Sequence, residues 1–299
     1  MRSGENGGAR RVRKLVPARC AHAMTRPRRS WLFVPGADEA AHETATTCGA
    51  DVLIQELEDF TPPELRPAAR ALARTLYDRW RAAGAIAAVR VNPLASGGDD
   101  DLAAVLAGRP DIVMMSKVDA PEDVRALDAA TGGTVELVPN IESAAGLIRT
   151  FEIVRASPRV RAALVASEDM VADLGTARSR GGEELAYVRA RFLVECRAAG
   201  VEAIDCPYTF SDVRGAAADT RYAKRLGYRA KSLVAPAHAA AINRVLTPQR
   251  AEIERARRIV VAFERARAAG RERARVDGAL IEVPIYAAAK RLLTNPNDP

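Results

Sequence analysis

The stretch Ile86-Ala87-Ala88-Val89-Arg90-Val91-Asn92 is a short apolar run with polar residues at its end, and it follows Gly84 and a long Ala-, Leu- and Arg-rich segment at 65–82. A run of this length behind a glycine reads as a buried strand, and the segment before it as a helix. Working outward, the alternation repeats: apolar runs stand at 31–34, 52–57, 86–91, 112–117, 135–141, 162–166, 203–205 and 231–234. Helical stretches lie between them at 65–82, 123–130, 144–155, 183–199, 214–226 and 239–245. Gly49, Gly84, Gly200 and Gly227 each stand where a helix should stop, because glycine takes the left-handed cap conformation at little cost. Eight strands, each followed by a helix, predict an α/β chain folded as a closed (β/α)8 barrel, for which about 250 residues suffice.

The 299 residues then divide into a basic extension at 1–29, a barrel at 30–247 and a C-terminal part at 248–299. In the last part a helix is expected at 248–269, a loop at 270–277 and a short closing unit ending in a helix at 286–293. A minimal barrel does not need this appendage, so a lid or an oligomer contact is its expected role. The formal charge of +7 is local, since residues 1–30 carry nine Arg or Lys against Glu5 alone and leave the remainder at −1. Aromatic residues make up only 5%, and no face interleaves them with basic ones, so a nucleic-acid surface is not expected. Cys20, Cys48, Cys196 and Cys206 lack CxxC spacing, which excludes a sequence-local zinc site and points to a reduced, cytoplasmic protein. No apolar stretch reaches the roughly 18 residues of a membrane span.

In a barrel of this kind the chemistry sits where strands run out into the following loops. The polar residues at those ends are Glu56, Glu58 and Asp59 after the second strand, Arg90 and Asn92 after the third, Lys117 after the fourth, and Asn140 and Glu142 after the fifth. Glu168 and Asp169 follow the sixth, and Asp205 the seventh. Glu142 and Asp169 are placed to reach one hard cation while leaving room for water and substrate oxygens, which is how Mg2+ is usually held. Arg90 can clamp a carboxylate through parallel hydrogen bonds. A ring of salt bridges closing the barrel mouth is the competing reading of the same residues.

The series Arg29-Ser30-Trp31-Leu32-Phe33-Val34-Pro35-Gly36, Glu56-Leu57-Glu58-Asp59, Val89-Arg90-Val91-Asn92, Lys117-Val118, Ile141-Glu142-Ser143, Ser167-Glu168-Asp169 and Ile281-Glu282-Val283-Pro284 resembles the citrate lyase beta-subunit-like branch of the aldolase and citrate lyase superfamily, which includes citramalyl-CoA and malyl-CoA lyases. The likeness runs from Ser30 to Leu293. It implies a Mg2+-dependent carbon–carbon lyase acting on a hydroxy or oxo acid, expected as a coenzyme A thioester, in a homotrimer or hexamer. It further implies Mg2+ on Glu142 and Asp169, the acid held by Arg90 with Lys117 and Asn140, and Glu58 and Asp59 in the catalytic group. Glu282 is implied as a carboxylate brought over the site by a neighbouring subunit.

Departures from the family pattern cluster in the site. Glu56 and Glu282 replace aspartates, Ser116 replaces a proline, Ala235 stands where a histidine is usual and Thr44 where a lysine is. An acyl-CoA thioesterase at the same metal site, and a non-catalytic homologue that binds an oxo acid or a protein, therefore stand beside the lyase as alternative readings.

Overall fold

The computed structural model describes residues 26–294; Cys20, His22 and the rest of the basic segment up to residue 25 lie outside the described residues. Eight parallel strands pair in chain order and close into a barrel: β1 (Ser30–Pro35), β2 (Val52–Glu56), β3 (Ile86–Val91), β4 (Ile112–Met115), β5 (Glu136–Ile141), β6 (Ala162–Val165), β7 (Glu202–Asp205) and β8 (Ala230–Leu233). The ring is sealed by β1 against β8, with Trp31 opposite Ser232. Around it run α1 (Glu39–Thr47), α2 (Arg66–Ala82), α3 (Gly98–Val105), α4 (Pro121–Ala130), α5 (Ala144–Ile148), α6 (Thr150–Arg155), α7 (Glu168–Asp173), α8 (Ala186–Ala199), α9 (Val213–Leu226) and α10 (Ala239–Leu246). The appendage is α11 (Arg250–Ala268), β9 (Ala274–Val276), β10 (Ala279–Ile281) and α12 (Val283–Leu293).

Side chains alternate along each strand, and that period of two sorts the core into two layers. Trp31, Phe33, Val52, Ile54, Ala88, Met114, Val138, Leu164, Ile204 and Ala230 fill the barrel interior. Leu32, Val34, Leu53, Val89, Val113, Ala203 and Leu233 point outward and pack under the helices. All five residues of β2 are buried, as expected for a parallel strand covered on both faces. Gly36 lets the loop after β1 press against the end of β2, where a Cβ would lie 2.5 Å from the Glu56 carbonyl.

The structure revises several expected boundaries. The helix expected at 144–155 is broken at Arg149 into α5 and α6. The segment expected as a loop at 270–277 contains β9, which pairs antiparallel with β10. Helix α12 starts at Val283 because Pro284 fits a first turn, where its missing N–H has no partner to lose. Helix α3, unforeseen behind its Gly-Gly-Asp-Asp-Asp start, is tied down by buried Asp101, which accepts from Arg70 Nε at 2.8 Å and from the Asn92 amide at 3.0 Å. Arg28 and Arg29, counted with the basic extension, are fastened to the barrel: Arg28 pairs with Glu136 at 2.6 Å and Arg29 with Asp51 at 2.8 Å.

Candidate active site

The interior register continues past the strand ends and decides which polar groups meet. Glu56 follows Ile54, Arg90 follows Ala88 and Asn140 follows Val138, each two residues beyond an interior side chain. Arg90 Nε donates to Glu56 Oε1 at 2.9 Å, and its Nη atoms stand 3.2 Å from Glu58, 3.8 Å from Asp59 and 3.8 Å from Glu142. Its guanidinium also lies over the Phe33 ring, 4.9 Å from the centroid. The longer reach of Glu56 is used on the backbone of the next loop, where its two oxygens accept from the amides of Glu58 and Phe60, each at 2.5 Å.

Lys117 is one position out of register with the interior set, and it takes φ +51, a left-handed conformation rare for a long side chain. Its amine reaches Glu58 and, at 3.5 Å, Asp59. Asn140 Nδ2 donates to Glu142 Oε1 at 2.5 Å. Glu142 Oε2, Asn140 Oδ1 and Ser167 Oγ are buried without a hydrogen-bond partner. Burial above all pushes the Glu142 carboxyl up to about 8; Arg90 opposes this, while neighbouring Asp169 and Glu58 add to it. Burial also raises Glu58, against the pull of Arg90 and Lys117.

Several of these groups border a cavity of about 290 Å³ at the carboxyl ends of the strands, while Glu56, Glu58, Lys117 and Glu142 stand behind its lining. Asp59, Arg90, Asn140, Ser167, Glu168 and Asp169 form its polar side, and Phe33, Phe60, Leu164, Pro207 and Val234 its apolar side. Glu168 and Asp169 stand in the first turn of α7, beyond the strand end where they were expected, and Glu168 accepts from Thr209 Oγ1 at 2.7 Å. The structure thus gathers Arg90, Glu58, Asp59, Lys117, Asn140, Glu142 and Asp169 in one neighbourhood.

Asp205 and Glu282, both candidates from the sequence, lie elsewhere, as does His238. Asp205 points out of the barrel beneath the helices, held by Arg189 and Lys231, each at 2.6 Å, because it follows interior Ile204 by one residue and not two. Glu282 is in the appendage, 3.1 Å from Arg273, and does not border the cavity of its own barrel. His238 is buried with Nε2 3.2 Å from the Ser211 carbonyl, outside the cavity lining, so it does not replace a histidine at Ala235. Sequence reasoning missed Phe33, Phe60, Ser167 and Thr209; the same two-residue register signals Phe33, whereas the loop residues carry no such mark.

Among the described residues no group of three or more His, Cys, Asp or Glu could by itself hold a metal ion. A hard cation at Glu142 and Asp169 would therefore draw its other ligands from water and substrate, as Mg2+ commonly does. The residues fit that demand, because Glu142 offers a buried carboxylate oxygen with no other partner.

The HpcH/HpaI aldolase/citrate lyase family model matches residues 29–236. Citrate lyase subunit beta of Escherichia coli (strain K12) is 33% identical over 297 residues, covering 94% of this chain and 97% of that protein. A (3S)-malyl-CoA thioesterase of Cereibacter sphaeroides (strain ATCC 17025) is 32% identical, with 89% and 94% covered. Among solved structures, the citrate lyase beta subunit of M. tuberculosis complexed with oxaloacetate and magnesium superposes with a TM-score of 0.64 at 26% identity, over 75% of this chain and 99% of that one.

Proposed function

We propose, from the premise that the chain belongs to the HpcH/HpaI aldolase/citrate lyase family, that it is a Mg2+-dependent carbon–carbon lyase acting on a small 2-hydroxy or 2-oxo acid borne as a coenzyme A thioester. The observation that carries this reading is the buried Glu142 carboxylate beside Asp169, with one oxygen left without a hydrogen bond. A buried carboxylate in that state is costly unless it is neutralised by a proton or a cation. The solved relative with oxaloacetate and magnesium supports the cation.

In this reading Glu142 and Asp169 hold the ion. Bound Mg2+ supplies positive charge that stabilises an oxygen as negative charge develops on it during cleavage. Arg90 holds the carboxylate of the acid; its Nη1 is the donor least committed, since Glu142 stands off at 3.8 Å. Glu56, Glu58 and Asp59 keep that guanidinium aimed, and Lys117 and Asn140 complete the polar wall. Cleavage of a β-hydroxy thioester needs a base for the hydroxyl proton. Glu282, remote from its own cavity, takes that role when a second copy carries it over the mouth. The apolar wall of Phe33, Phe60, Leu164 and Val234 receives the carbon skeleton.

A second reading is favoured by the thioesterase relative: the same site hydrolyses the thioester. Purified protein incubated with Mg2+ and citramalyl-, malyl- or related CoA thioesters separates the two. A 2-oxo acid (or glyoxylate) appearing with a shorter acyl-CoA identifies the lyase. Free CoA with an intact hydroxy acid identifies the hydrolase, and turnover of none of them removes both.

A further inference from the structure

Ser167 stands at the N-cap of α7, a position where a serine hydroxyl ordinarily accepts a hydrogen bond from an amide of the first turn. Here it makes no such bond: the residue is 1% exposed, its Oγ has no hydrogen-bond partner, and it forms part of the cavity wall together with Asp169. Burying a hydroxyl without a partner costs stability, so a serine kept in that state beside a cavity points to a donor held for a ligand.

The other side-chain donors of the wall are largely spent. Asn140 Nδ2 is given to Glu142 at 2.5 Å, and Thr209 Oγ1 to Glu168 at 2.7 Å. Among the described residues Arg90 is the one cation of the lining, and Nη1 is its least committed nitrogen. Lys117 is held behind the lining by Glu58 and Asp59, and Arg178, 3.8 Å from Glu168, is engaged by Glu184 at 2.7 Å. Opposite these donors the wall carries the carboxylates of Asp59, Glu168 and Asp169 and an apolar side that includes Phe33, Leu164 and Val234. We propose that Ser167 is a specificity-determining residue: its hydroxyl donates to the acid held by Arg90, and the two together serve an acid with a single carboxylate and a short alkyl chain, the chain lying on the apolar side. The inference rests on the lyase reading of the same site. One guanidinium edge and one hydroxyl satisfy one carboxylate. A second carboxylate, carried on the alkyl chain, would be buried against apolar side chains or brought toward Asp59 and Glu168, with no cation left to pair with it.

Calorimetric titration of the full-length protein in Mg2+ compares 2-oxopentanoate with 2-oxoglutarate, in which a carboxylate replaces the terminal methyl. The first should bind about tenfold more tightly or better, the penalty for setting like charges side by side. Ser167→Ala should weaken the binding of 2-oxopentanoate by about tenfold, since one charge-assisted hydrogen bond is lost. The same substitution should leave the Tm of the ligand-free protein equal or higher, because the partnerless hydroxyl goes with it. A serine needed only by the fold would do the reverse, lowering the Tm and sparing the affinity, and that result overturns the proposal. So does 2-oxoglutarate binding as tightly as 2-oxopentanoate while turnover of a CoA thioester persists, an outcome that leaves the lyase reading standing. Binding of neither acid overturns it too, and takes the lyase reading with it when turnover is absent as well.

Discussion

Glu142 has one oxygen bonded to Asn140 and the other to nothing, and it lies in a mouth already crowded with Glu56, Glu58, Asp59 and Asp169. A carboxyl raised to about 8 by burial costs the fold stability at any pH above its unfolded value, because it must take up a proton or carry a buried charge, and a neutral isostere removes that cost at the expense of the activity that needs the carboxylate. Glu142→Gln should therefore raise the Tm of the metal-free protein while abolishing Mg2+-dependent turnover, and Asp169→Ala should abolish turnover as well. Thermal melts in a chelator and assays with added Mg2+ test this; full activity in either variant ends the metal assignment. Arg90 is different, because it is the counterion of three buried carboxylates as well as the proposed substrate clamp. Arg90→Ala should raise KM far more than it lowers kcat and cost about 3–5 kcal/mol of stability, the range for breaking a buried ion pair. Denaturant titration beside steady-state kinetics measures both. Much of this constellation was legible in the sequence, since a polar residue at the end of a parallel barrel strand has few places to go. Ser167 and Thr209 were not legible, because their place depends on loop paths that no residue pattern announces.

At the scale of elements, one wall of the barrel is held by charge. Between β7, β8, α8 and α9, Lys231 stands 2.6 Å from both Asp205 and Asp219, and Arg189 pairs with the same two carboxylates. Burial would raise Asp219, but Lys231 and then Arg189 outweigh it and bring its carboxyl down to about 2. A carboxylate with a lower pKa in the folded than in the unfolded chain stabilises the fold above its unfolded value near 4, and loses that contribution as the pH falls toward 2. Asp219 should contribute about 2 kcal/mol at neutral pH, and Asp219→Asn should flatten the decline in stability between pH 4 and pH 2. Equilibrium unfolding across that window checks it; parallel profiles for the two proteins would refute it. Asp205 shows what the sequence offered and was not used. Its strand-end position resembled that of Glu142, but a count of two along the strand puts Ile204 inside and Asp205 outside. The eight strands were readable because their apolar runs are short and several of them follow a glycine, as after Gly49, Gly84, Gly200 and Gly227. The appendage was harder, since Ala274–Val276 and Ala279–Ile281 are too brief to show alternation and form strands only through each other.

For the whole molecule, the position of Glu282 and the surface around it bear on assembly. Helices α11 and α12 and the β9–β10 hairpin pack a small core of their own, with Phe263 stacked on Tyr286 at 4.6 Å. That unit still exposes Leu280, Val283 and Ile285 by 41%, 51% and 42%, all within three residues of Glu282. Phe60 and Leu174 are exposed to a similar degree, 40% and 43%, and Phe60 borders the cavity. Apolar side chains left open beside a carboxylate in one copy, and beside a mouth in another, are complementary if the appendage of each chain covers its neighbour in a closed ring. The consequence is quantitative. Asp169→Ala spoils the mouth and Glu282→Gln the cover, so each variant alone should be inactive. When the two are co-expressed and assemble at random, a site with both parts intact forms in about a quarter of cases, and activity should return to about that fraction of the unsubstituted enzyme. Assays of the co-purified mixture, with light scattering to establish the oligomer, make the measurement. A mixture that stays inactive would mean that Glu282 serves the mouth of its own chain, and an active Glu282→Gln variant would mean that it serves none.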